Sequence, residues 1–234
     1  MSANTIHAVI FDLDGLLADT ECLHCRAYQM ALLEHGVQLR DWDYAEHWVR
    51  YGKGIADWIA MRGLELDPHA LRLRKAQHYL DLLRSSLRPM EGALDLLELL
   101  HGRTKLALAS SSYRDAIDGV LAGLGIRHFF KVIVSGLDVA HVKPAPDIFL
   151  KAARDLGVEP ERCVVLEDAE KGVIAARLAG MRCIAVPNDY TRHHDFSQAT
   201  TICSSLKEIT DEFLTRLETA AVSAELVTSP SRPA

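Results

Sequence analysis

Between about residue 104 and residue 188 the chain switches repeatedly between two periodicities, and this alternation restricts its fold more than any other feature. Four short apolar runs read as buried strands: "TKLALASSS" (104–112), "KVIVSG" (131–136), "ERCVVLED" (161–168) and "RCIAVPN" (182–188). Between them lie "YRDAIDGVLAGLGI", "PDIFLKAARDLGV" (146–158) and "KGVIAARLAG" (171–180), whose apolar residues recur at helical spacing. Strands with no polar alternation, each followed by a helix, indicate a parallel sheet covered on both faces. With residues 6–11 as the first strand, and "ATTICSSLKEITDEFL" as a short edge strand and final helix, the expected core is a doubly wound, Rossmann-like α/β domain.

Residues 21–88 interrupt the alternation with helical patterns only, among them "HALRLRKAQHYLDLLRSSL". An all-α insert at this point is expected to form a cap over the carboxyl edge of the sheet. "RPMEG" (88–92) reads as the return hinge, since proline and glycine punctuate chain direction. The expected organisation is therefore a core of residues 1–20 and 89–219 with a cap of residues 21–88. The small, polar and proline-containing end at 220–234 is expected to be a disordered tail. A chain of 234 residues has enough material for one large core with a smaller appended domain.

The formal net charge of -6, with no basic stripe, gives no electrostatic footprint for nucleic acid. No apolar run reaches the length of a membrane span, and no basic segment followed by a long apolar one opens the chain. No membrane partner and a cytoplasmic location are expected. Five scattered cysteines argue against a disulfide framework. "CLHC" (22–25) reads as a helical segment carrying two thiols, and Cys163 and Cys183 as small core side chains.

In a parallel sheet every strand finishes on the same side, where ligands bind. Here the strand ends deliver Asp12 and Asp14, then Ser110 with Ser111 and Ser112, then Lys143 before Pro144, then Glu167 and Asp168. Carboxylates gathered at one crevice call for a cation, and oxygen-only ligands select a hard divalent ion, Mg²⁺ above all. Asp12, Asp14, Glu167 and Asp168 are the candidate metal ligands, with Glu167 either a direct ligand or an acid orienting another group. Lys143 adds a point positive charge. Ser110, with Ser111 and the backbone N–H groups behind it, offers donors to phosphate oxygens. Along an extended strand positions 12 and 14 point to the same side. Asp12 could then attack phosphorus while Asp14 protonates the leaving oxygen and later activates water. Taken singly, Asp12 and Asp14 could form an Asx-turn and helix-cap pair, and Ser110 could cap the helix that starts near Tyr113.

"DLDG", the strand-terminal Ser110, "KPAPDIF" and "LEDAEKGVIAA" resemble the four signature motifs of the haloacid dehalogenase superfamily. The resemblance implies Asp12 as nucleophile and Asp14 as the acid/base, which also offers Mg²⁺ its backbone carbonyl. Glu167 and Asp168 would supply further metal ligands. The insert resembles the helical cap of the β-phosphoglucomutase-like and phosphosugar phosphatase subgroup, with His24, Lys53 and Lys75 at matching positions. By residue type alone, His24 reads as a polar residue on a cap helix and Lys75, in "RLRK", as a solvated charge. Asp57 stands where the mutase has a phosphate-gripping arginine, and Tyr113 where it has a lysine. A carboxylate at such a place opposes a second phosphate. The expected activity is therefore Mg²⁺-dependent hydrolysis of a small phosphorylated metabolite, a sugar phosphate, through an aspartyl phosphate. A phosphosugar mutase and a non-catalytic binding module are the alternatives; a phosphonate-cleaving relative is disfavoured by Asp14. One chain carries every proposed catalytic group, so a monomer suffices.

Overall fold

The computed structural model of the chain describes residues 5–227, with side chains through residue 219. Six parallel strands form one sheet: β1 (Ala8–Phe11), β2 (Lys105–Ser110), β3 (Val132–Ser135), β4 (Cys163–Glu167), β5 (Arg182–Ala185) and β6 (Thr201–Ile202), in the order β3-β2-β1-β4-β5-β6. The connections run outward from β1 through β2 to β3, then return to the other side of β1. The carboxyl edge between β1 and β4 is thus the point where winding reverses, the place where such sheets open a crevice. Phe11 is level with Leu108 on one side and Leu166 on the other, so Asp12 emerges one step beyond, between the ends of β2 and β4.

Between β1 and β2 lie α1 (Glu21–Leu33), α2 (Asp41–Tyr44) running into a π-helical turn (Ala45–Arg50), α3 (Ile55–Met61) and α4 (Pro68–Ser86). The start of α4 is written locally: Pro68 occupies the first turn, where its missing N–H is no loss, and the Asp67 side chain accepts from the His69 N–H at 2.9 Å. Helix α5 (Ala93–Leu100) precedes β2, and α6 (Arg114–Leu124), α7 (Asp147–Leu156), α8 (Glu170–Leu178) and α9 (Asp211–Val227) follow. The strand–helix reading named no element over "ALDLLELL", where α5 forms. The expected tail boundary at 220 falls within α9. The segment through Val227 is rich in Ala, Leu and Glu, good helix formers, and its first proline is Pro230. Residues 228–234 lie outside the described residues.

Alternate strand residues feed two apolar layers. On one face Val9, Phe11, Leu108 and Leu166 pack with Leu97, Ile117 and Val120. On the other, Ile10, Ala107 and Val165 pack with Ile148, Phe149 and Val173. The insert has a core of its own around Trp58, Leu32, Leu71 and Tyr44. Leu23 and Ala27 of α1 and Tyr79 and Leu83 of α4 join the first sheet layer instead, seating the insert on the sheet. The two crossings are stitched together: Asp19 N–H donates to Arg88 C=O at 3.0 Å and Met90 N–H to Leu17 C=O at 2.9 Å, with Ala18 bridged to Pro89. All five cysteines are free thiols. No helix among the described residues is long and apolar enough to cross a membrane.

Candidate active site

Asp12, Asp14, Ser110, Ser111, Lys143, Glu167 and Asp168 converge on one cavity of about 340 Å³ between sheet edge and insert. Lys143 is at its floor, 3% exposed. Its Nζ donates to a carboxylate oxygen of Asp12, to Glu167 Oε1 at 2.6 Å and to the Ala109 C=O at 2.9 Å. Burial opposes the charge on Lys143, but Asp12 and Glu167 outweigh it and hold the ammonium above its ordinary value. Burial pushes the Asp12 carboxyl up to about 7; Lys143 pulls it down, while Glu167 and Asp14 push it up further.

Glu167 is turned toward protein. Its second oxygen accepts the N–H groups of Asp168 and Ala169, both at 3.1 Å, where α8 begins. Gly172 makes room for this: a Cβ there would overlap the Glu167 carboxyl. Glu167 thus joins Lys143 to the start of α8. Asp168 differs. It is 2% exposed, and its carboxylate takes one hydrogen bond, at 2.8 Å, from the Asn188 amide, which also donates to the Gly15 C=O at 3.0 Å. Burial, with Glu167 and Asp12 nearby, pushes the Asp168 carboxyl well up. Gly15, at φ +81°, carries the backbone around this group; a Cβ would strike both Asn188 and Asp168.

A site with Asp12 and Asp168 buried, oxygen donors throughout and one ammonium for three acids fits a hard divalent cation. Among the described residues no three Asp, Glu, His or Cys side chains close into a ready cage.

Asp14 has the richest set of donors. Thr20 Oγ1 reaches Oδ1 at 2.7 Å, and Ser112 and Ser110 hydroxyls reach Oδ2 at 2.6 and 3.2 Å. His24 Nε2 lies 3.1 Å from Oδ1, and its Nδ1 is 2.6 Å from Lys75 Nζ. An ammonium can only donate, so Nδ1 accepts and Nε2–H points at Asp14. Burial raises the Asp14 carboxyl, but His24, Ser112 and Thr20 overcome it and leave it far below the usual carboxylate range.

Lys75 is therefore no solvated charge. It is 8% exposed, lies against the ring faces of Tyr79 at 4.4 Å and Tyr28 at 5.1 Å, and is held by burial down to about 8. His24 likewise has a specific place, stacked on Tyr79 at 4.0 Å. Lys53, by contrast, is exposed at the cavity mouth. Ser110 is spent on Asp14 and on the Ser112 N–H, whereas the Ser111 hydroxyl is buried without a partner. Asp57 caps α3, accepting from the Gly54 N–H at 3.1 Å. Thr20, Asn188 and Gly172 were not among the expected site residues, and Ser112, named at the strand end, had been given no role of its own. Asn188 had a signal in its position at the end of "RCIAVPN", on the same sheet edge. The insert also supplies an aromatic wall, with Trp48 4.8 Å from Tyr28 and 5.5 Å from Tyr44. It touches the core where Lys171 Nζ meets the Trp48 C=O at 3.0 Å.

Known proteins share this arrangement. A family model described as haloacid dehalogenase-like hydrolase matches residues 6–180. Fructose-1-phosphate phosphatase YqaB of Escherichia coli is 37% identical over 184 residues, covering 76% of this chain and 95% of its own. A mutant CbbY from Rhodobacter sphaeroides, crystallised in complex with xylulose-(1,5)bisphosphate, superposes with a TM-score of 0.82 at 31% identity, over 90% of this chain and 99% of that one. A β-phosphoglucomutase from Clostridium difficile gives a TM-score of 0.79 at 25% identity, over 94% and 100%. With a family model matching most of the chain, and relatives alike in sequence and in fold over most of their length, this protein belongs to the haloacid dehalogenase-like hydrolase family.

Proposed function

We propose that the chain is a Mg²⁺-dependent phosphatase acting on a small phosphorylated sugar, with Asp12 as nucleophile and Asp14 as acid and base. The observation that carries this reading is the division of labour between the two aspartates. Among the described residues the Asp12 carboxylate is hydrogen-bonded only by Lys143, whereas Asp14 sits two residues on in a cluster of hydrogen-bond donors. The sugar phosphates named for YqaB and CbbY support the substrate class.

Lys143, locked between Glu167 and Asp12, keeps one Asp12 oxygen in place and offsets charge as the other attacks phosphorus. A phosphate dianion entering beside Asp14 opposes its charge and raises its proton affinity. Asp14 can then carry the proton that the leaving oxygen needs, while His24 Nε2–H on Oδ1 holds the carboxyl in orientation. Once the sugar has left, Asp14 returns to the carboxylate that its donors favour and takes a proton from the water that opens the aspartyl phosphate. Ser111 lines the same cavity, and its hydroxyl, buried without a partner, would turn to donate to a phosphate oxygen. Asp12, Asp168 and the Asp14 backbone carbonyl would hold Mg²⁺, which when bound neutralises the phosphate and draws the acids together.

The test is phosphate release from a panel of sugar monophosphates, with Mg²⁺ and with excess chelator. Release should require the metal, and Asp12→Asn should lower kcat at least 1000-fold, the usual consequence of removing a nucleophile. An Asp12→Asn variant within tenfold of the wild type would overturn the nucleophile assignment. Isomerisation of a hexose 1-phosphate to its 6-phosphate, without net phosphate release, would replace hydrolase by mutase.

A further inference from the structure

Arg72 has no part in the chemistry above, yet it lines the same cavity as Asp12. It lies on α4 one turn before Lys75. Its guanidinium carbon stands 4.5 Å from the centre of the Tyr113 ring, which belongs to the loop directly after Ser110–Ser112. Four other arginines of the insert pair with acids, Arg40 with Asp43, Arg50 with Glu46, Arg74 with Glu34 and Arg84 with Asp81, and Arg62, over the Trp58 ring, is not a lining residue of the cavity. Arg72 is half-buried and stacked on an aromatic ring, and among the described residues it forms no ion pair. The acids that share its cavity are otherwise engaged. Glu21 accepts from the Tyr44 hydroxyl at 2.6 Å, and Asp115 from the Ala116 N–H at 2.9 Å.

Stacking fixes the plane of a guanidinium while leaving its edge of N–H donors open, the geometry that grips a phosphate or carboxylate with two parallel hydrogen bonds. A lone arginine held this way beside a catalytic cavity is poised for an anion carried by the ligand. Lys53 also lines the cavity but is exposed at its mouth, whereas Arg72 is half-buried and held against a ring. We propose that Arg72, held by Tyr113, binds a second anionic group at the end of the substrate remote from Asp12, making a sugar bisphosphate the preferred substrate class. This rests on the phosphatase reading and adds to it the identity of the distal group.

The experiment uses the full chain with Mg²⁺ and three compounds: acetyl phosphate, which has no distal end, a ketose 1-phosphate and the matching ketose bisphosphate. The wild type should favour the bisphosphate over the monophosphate at least tenfold in kcat/KM. Arg72→Ala should lower kcat/KM for the bisphosphate by roughly 10- to 100-fold, the size of a charge-assisted hydrogen bond, and chiefly through KM. The other two compounds should lose less than threefold, and Arg72→Lys should recover part of the bisphosphate loss. Equal losses on all three compounds would make Arg72 a strut between insert and core and overturn the proposal. So would a wild type that hydrolyses both sugar phosphates equally well. Failure to hydrolyse any of the three would overturn the phosphatase reading itself.

Discussion

Replacing Gly172 by alanine tests the idea that Lys143 is held in position from behind. Gly172 lies in the first turn of α8 and does not have a positive φ, so alanine is compatible with its backbone. On helix propensity alone the change should stabilise the protein by about 0.5–1 kcal/mol. The structure reverses the sign. The new methyl would overlap the Glu167 carboxyl, which must rotate away. Three contacts go with it: Lys143 Nζ at 2.6 Å and the Asp168 and Ala169 N–H groups at 3.1 Å. Hydrogen bonds to charged groups are each worth about 1.5–3 kcal/mol. Some are regained elsewhere, so the net loss after the helix gain should be about 2–4 kcal/mol. Lys143 would keep Asp12 but lose the partner that aims it, and a displacement of an ångström at such a group can lower turnover about 100-fold. Urea unfolding gives the stability change, with an unchanged m-value showing that the unfolded state is not responsible. Phosphate release gives kcat. A Gly172→Ala protein as stable as the wild type, with kcat within threefold, would refute this account of Glu167.

Two further outcomes follow from neighbouring residues. Burial holds Lys75 down to about 8, below the value of about 10.4 for a free lysine, so its charge costs roughly 3 kcal/mol of stability. That cost is fully present below pH 8 and fades as pH rises toward 10.4, because the unfolded chain binds the proton more tightly in that interval. Lys75→Met should therefore raise the unfolding free energy at pH 7 by on the order of 1–3 kcal/mol, and by much less at pH 10, while kcat falls as His24 loses its donor. A gain of equal size at both pH values would refute the assignment. Asn188→Ala removes the only side-chain donor on Asp168 among the described residues and should weaken Mg²⁺ binding about 10- to 100-fold, read from a metal titration of activity. Unchanged metal dependence would remove Asp168 from the metal site.

Most of the sheet edge was legible in the sequence because each chemical group follows an apolar run by one or two residues. Asp12, Ser110, Glu167 and Asp168 need only strand assignment to be gathered, and Lys143 follows from the proline beside it. Lys75 was misread for an instructive reason. The charged string "RLRK" suggests a wet face, but position 75 shares the i, i+4 row with Leu71, Tyr79 and Leu83, all buried. A lysine in the middle of an apolar row is the signal that was available. Thr20, and the bond from Ser112 to Asp14, were harder to find, since turns bring these hydroxyls back to Asp14 and no periodicity describes that path. Gly172 could not be read at all without coordinates: its reason lies in a carboxyl group five positions earlier in the chain.

The stitching of Ala18 to Pro89 has a consequence for how proteins of this kind change. Seventy residues leave the sheet and return through neighbouring positions, so a short turn joining the two crossings could replace them with the core strands undisturbed. A whole lid can in this sense be gained, lost or exchanged in one event, as insertions are tolerated where chain ends meet. Such an exchange would not be neutral for the chemistry. Thr20, His24 and Lys75 all travel with the lid, leaving Asp14 with its serines alone. A lineage that acquires a new lid acquires its recognition surface and its proton handling as one heritable package.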